Sequence, residues 1–217
     1  MTPPTKISPN ELEKKELITA ASLLMAVGVL YVGSLLVRGA FVDPVSDPAR
    51  FARVMATPAV TAAGLAYVLA LALHLFAVFA FVQFARREAP ESTRIGAFLT
   101  GLGLVLTAAV VGPFIFVHPA LAKSYLEGNR GALEVVIASA GPLFTGTVML
   151  EGIFVVVGSA FMARALHCNK LPLWICMLLA ISPVLYATPI PGFVPELLGS
   201  AMLGICGAGI LLAAKGS

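Results

Sequence analysis

The sequence predicts an all-α polytopic membrane bundle of six spans, with a short interfacial helix in the first outer loop. Three observations carry this. Hydrophobic residues make up 59% of the chain and charged residues 12%, about half the charged share of an ordinary soluble domain. Six apolar runs lie at about 17–37, 59–84, 95–120, 134–163, 171–188 and 195–214, and an uncharged run of roughly 18 residues or more can cross the ~30 Å hydrocarbon layer as a helix. The 14 lysines and arginines also sort by side. Nine fall on one side (Lys6, Lys14, Lys15, Arg86, Arg87, Arg94, Arg164, Lys170, Lys215) and five on the other (Arg38, Arg50, Arg53, Lys123, Arg130). The excess of basic residues on cytoplasmic loops then places both termini in the cytoplasm.

Residues 1–16 read as a cytoplasmic lead-in and 17–214 as one membrane domain. Ser8-Pro9-Asn10-Glu11 has the form of a capping box with proline at the first helical position, so the first helix is expected to start near Pro9. The first apolar run is too long for the core of a secretory signal and has no small-residue cleavage site after it. In the first outer loop, Ser46-Asp47-Pro48 again marks a helix start. The turns that follow put Phe51, Val54 and Met55 on one face, with Arg50 and Arg53 beside them. That pattern suits a helix lying in the interface, its arginines able to hold lipid phosphates or another anion.

Small residues form stripes on two spans. Gly96, Thr100, Gly103 and Thr107 share one face of the third, and Ser200, Gly204 and Gly207 one face of the sixth. Such stripes let membrane helices approach closely, for bundle closure or for contact with another subunit. Pro113, Pro142 and Pro183 fall inside apolar runs. Each frees the carbonyl four residues earlier, on Ala109, Ala138 and Leu179, and broken helices of this kind build sites in transporters.

Two ionisable side chains lie deep in spans, His74 and Glu151, and such groups are functional suspects because they are costly in lipid. Counted from the starts of their runs, His74 lies roughly 22 Å and Glu151 roughly 26 Å along parallel helices. They are expected at one level, with Tyr67, Thr145 and Thr147 as candidates to complete a polar pocket for a ligand or a proton relay. His118 would sit roughly 18 Å from His74 along the axis, too far for one haem to take both. A single-histidine haem or pigment site is the remaining cofactor reading, and no metal site is expected. Cys168, Cys176 and Cys206 have no zinc-like spacing, and His167 reads as solvated. Hydrolase, Walker and zinc-protease motifs are missing, which argues against an enzyme, and a net charge of +3 gives no reason to expect nucleic acid.

The segment Phe116-Val117-His118-Pro119-Ala120-Leu121-Ala122, the pairs around Glu151-Gly152 and Arg164-Ala165-Leu166, and Leu171-Pro172-Leu173-Trp174 before a proline-rich loop and a small-residue helix form a cadence over about residues 70–214. It resembles uncharacterised bacterial six-helix integral membrane proteins grouped as domains of unknown function. The resemblance implies a six-helix bundle in a prokaryotic inner membrane and brings no activity with it. Three functions fit these features. The first is an accessory or structural subunit of a larger membrane complex, with a membrane protein partner or a homo-oligomer. The second is a small carrier or binding protein for a lipophilic or protonatable ligand at His74 and Glu151. The third is a cofactor-binding redox protein or enzyme.

Overall fold

The computed structural model describes residues 9–40, 42–187 and 193–216. Among them all regular structure is helical: α1 (Pro9–Arg38), α2 (Pro48–Met55), α3 (Pro58–Ala85), α4 (Pro90–Phe116), α5 (His118–Leu126), α6 (Gly131–Ser139), α7 (Pro142–Cys168), α8 (Leu173–Tyr186) and α9 (Phe193–Gly216). Five are long and apolar enough to cross a membrane: α1, α3, α4 with its continuation α5, α7 and α9. α8 is apolar but has 14 residues, roughly 21 Å of helix, where the expected fifth span ran over 171–188. α1 starts at Pro9, as the capping pattern predicts; Ser8 itself lies outside the described residues.

Each long helix packs on its neighbour in chain order, and the ring closes. α1 lies against α3, α3 against α4, α4 against α7, α7 against α8, α8 against α9, and α9 against α1. Consecutive helices alternate in direction. One end therefore gathers Glu13, Phe84, Asn169, Leu171 and Ala214, and the other gathers Arg38, Ile115, Phe144, Tyr186 and Glu196. We call these the terminal end and the capped end. At the terminal end Arg87 pairs with Glu13, and the Asn169 amide donates to Ala85 O, tying α7 to α3. The ring's exterior carries large apolar side chains such as Phe76, Phe79, Phe98 and Leu212, the surface a hydrocarbon solvent accepts.

Both small-residue stripes close this ring from within. On α4, Gly96, Thr100, Gly103 and Thr107 are buried against α7. A methyl group built on Gly103 would lie 2.9 Å from Val155 N and 3.1 Å from Glu151 O. On α9, Ser200, Gly204 and Gly207 meet α1, where a methyl on Gly207 would lie 2.6 Å from Met25 N and 2.7 Å from Ala21 O. Backbones approach this closely only where side chains are minimal, and the dispersion gained along the contact holds membrane helices together.

Helices α2, α5 and α6 form the cap. α2 packs on α5 and α5 on α6, around Phe51, Ala52, Met55, Ala122, Leu133 and Val136. The Asp47 side chain accepts from Arg50 N at 3.0 Å and so caps α2. Phe51 and Met55 are buried as the face pattern predicts, while Arg50 and Arg53 are exposed. Asp47→Ala should cost about 0.5–2 kcal/mol of this helix's stability, read as earlier proteolysis of the cap with the ring still intact. In the preceding turn the Asp43 carboxylate accepts from Val45 N and Ser46 N. These bonds, Val45 first, hold it below the usual carboxylate range, so the turn keeps this support at neutral pH and loses it as acid protonates the group.

Two prolines act differently from the sequence expectation. The fourth apolar run is not one helix. α6 ends at Ser139 and α7 starts at Pro142, so Pro142 is a first-turn residue, where a missing N–H costs nothing, and not an internal kink. Pro113 and Pro183 do sit inside α4 and α8. The carbonyl that Pro183 frees, Leu179 O, accepts from the Ser182 hydroxyl at 3.5 Å. His118 is the first residue of α5 and is buried, its ring 4.4 Å from that of Phe114 and 6.2 Å from that of Phe51. It belongs to the joint between ring and cap.

Candidate functional site

A cavity of about 550 Å³ opens inside the ring at the capped end, within the size range of small-molecule sites. Its walls are apolar: Val54, Met55, Val110, Val111, Phe114 and Val148 are among them. Its polar groups are few. Tyr67 from α3, Thr107 from α4, Glu151 from α7 and Tyr186 from α8 line it, with Ser34, Arg38 and Glu196 from α1 and α9.

Helix register explains the grouping. Tyr67 lies nine residues after Pro58, Glu151 nine after Pro142, and Thr107 nine before Phe116. Each is therefore roughly 14 Å from the capped end of its helix, and three neighbouring helices deliver a polar side chain to one level. Glu151 is 8% exposed, and its Oε2 has no hydrogen-bond partner. The Thr107 hydroxyl donates to Gly103 O at 3.0 Å and also lies within hydrogen-bonding reach of the Glu151 carboxyl. Ser34 likewise donates to Ala63 O at 2.8 Å.

Arg38 and Glu196 pair across α1 and α9, with Arg38 Nη2 donating to Glu196 Oε2 at 2.6 Å. The positions suit both charges, since Arg38 ends α1 and Glu196 lies in the first turn of α9, where helix dipoles favour them. Both side chains are partly exposed, at 37% and 27%, so the bond closes the ring without adding much stability.

Behind the polar level stands an aromatic cluster. The Tyr31 ring lies 4.8 Å from Tyr67, 5.9 Å from Tyr186 and 6.4 Å from His74. Tyr31 Oη, Tyr186 Oη and His74 Nδ1 are buried without hydrogen-bond partners. Three of the chain's four tyrosines thus converge beside Glu151.

The site differs in membership from the one expected. His74 is buried in α3 but does not line the cavity. It lies 16 residues after Pro58, roughly 24 Å along the helix, some 10 Å deeper than Glu151. The expected common level rested on counting Glu151 from residue 134; the break before Pro142 removes α6 from that count. No hydrogen bond or ion pair joins the two among the described residues. Thr145 and Thr147 donate to Gly141 O and Leu143 O on their own helix and stay outside the cavity. Tyr67 lines the cavity with Glu151 but without His74, while Tyr31 and Tyr186 were not foreseen. Their signal was there: tyrosine within an apolar run carries a hydroxyl that needs a partner.

No family model, curated protein or solved structure matches the chain. The site's own chemistry is therefore what bears on function. An apolar chamber with one buried, uncompensated carboxyl and two tyrosines at its closed level can hold a lipophilic body and fix its polar end.

Proposed function

We propose that this is a multi-pass membrane protein that binds, and as a carrier releases, a lipophilic small molecule in the chamber at its capped end. Glu151 with its unpartnered Oε2 in an apolar cavity carries the reading. A buried carboxyl without a partner costs stability, and a ligand that satisfies it returns that stability on binding. In this reading α8 completes a six-helix crossing, both termini face the cytoplasm of a prokaryotic cell, and α2 lies on the outer leaflet with Arg50 and Arg53 toward phosphates. The accessory-subunit reading drew on the near absence of catalytic groups, the minimal extramembrane parts and the small-residue stripes, which could serve bundle closure or a partner. Those stripes join α4 to α7 and α1 to α9 within this chain, so ligand binding takes precedence.

The test is a titration of the purified protein in uncharged maltoside detergent with three single-chain probes, dodecylamine, dodecanol and dodecanoate, followed by native mass spectrometry. Saturable binding of at least one, at one molecule per chain, is the expected result. If none of the three binds saturably, the proposal fails.

A further inference from the structure

The charges around the chamber specify more than a lipophile. We infer that its ligand carries an ammonium or other organic cation at one end of an apolar body, and that Glu151 receives that cation between Tyr67 and Tyr186. This rests on the reading of the chamber as a binding site and names the chemistry of its occupant.

Three formal charges line the cavity: Arg38, Glu196 and Glu151. The first two neutralise each other through their ion pair. Glu151 remains, with no basic group in salt-bridge range among the described residues. It is more than nine-tenths buried, and a carboxyl in such a place is either neutral or paired with a counter-charge. The protein does not supply one at that level, and a cationic ligand would.

The surrounding groups agree. Tyr67 and Tyr186 line the same cavity, and tyrosine rings attract a desolvated cation. The Tyr186 hydroxyl has no partner within the protein, so it is free to accept from an N–H. Among the described residues an anionic head would meet only Arg38, whose Nε has no partner but whose charge Glu196 already balances through the 2.6 Å bond from Nη2. A neutral head would hydrogen-bond to the carboxyl in its protonated form and gain no charge-assisted bond, which is the weaker arrangement. Body and head are matched to different parts of one chamber, with apolar side chains from α2 and α4 toward the cap and the carboxyl below them.

The same probes separate the two readings. Charge-assisted hydrogen bonds are about twice as strong as neutral ones, so dodecylamine should bind about tenfold more tightly than dodecanol, and dodecanoate more weakly than either. Glu151→Gln, which keeps shape and removes charge, should bring the amine and the alcohol to within about threefold of each other. Equal binding of the three probes to the native chain overturns the cation assignment and leaves the binding chamber standing. A preference for dodecanoate overturns it as well. Because that comparison uses the native protein, it decides the matter even if Glu151→Gln does not fold. A competition arm distinguishes sources of the head group: displacement of dodecylamine by phosphatidylethanolamine marks a lipid headgroup, and resistance to it a free amine, either outcome upholding the cation.

Discussion

Gly158→Leu should abolish the folded bundle, or lower its melting temperature in detergent more than any other single glycine replacement on α7. A methyl on Gly158 would already meet Thr100 N, lie 2.5 Å from Thr100 Oγ1 and lie 3.0 Å from Gly96 O. Two of these three atoms are backbone and cannot turn aside. Leucine would have to push α4 off α7 along the whole contact, and overpacking of this kind costs about 1–3 kcal/mol or more. The control lies on the same helix. A methyl on Gly146 meets nothing within 4 Å, so Gly146→Leu should be neutral or slightly stabilising, since leucine exceeds glycine in helix propensity by under ~1 kcal/mol. Equal loss in both variants would mean that the seam is not what holds α4 to α7.

That contrast also shows what the sequence makes legible. The offsets of Gly96, Thr100, Gly103 and Thr107 are local, so a single chain read in order reveals their common face. The helix start at Asp47-Pro48 is local in the same way. The break before Pro142 was hidden because Gly141-Pro142 sits in an apolar run, where proline is as compatible with a kinked span as with a new start. That ambiguity moved Glu151 by eight residues of apparent depth and paired it with His74. Its cavity neighbours come from Tyr67, Thr107 and Tyr186 on three other helices. The Arg38–Glu196 bond spans 158 residues of sequence. Which helix faces which is decided by ring closure, and no local pattern carries that information.

Filling the chamber should remove binding outright, which makes Val111→Trp the most informative single change for function. Val111 lines the cavity from α4 and is half-buried, so an indole there can occupy space that is open in the native chain. Loss of the apolar contact area of a bound chain, at about 25 cal/mol per Å², should weaken all three dodecyl probes by at least about a hundredfold, whatever their head groups. This separates the variant from Glu151→Gln, whose loss should fall mainly on dodecylamine. Phe98→Trp is the matching control, because Phe98 is 69% exposed on the ring's exterior and is not among the residues lining the cavity. A folded Val111→Trp protein that still binds dodecanol with native affinity would place the ligand on the outer surface of the ring. The native chain has one tryptophan, Trp174, which packs near Gly209 on the other side of the bundle's midplane. A Trp174→Phe, Val111→Trp chain therefore emits from the chamber alone, and its spectrum reports whether the new indole sits in an apolar interior or has been expelled toward water.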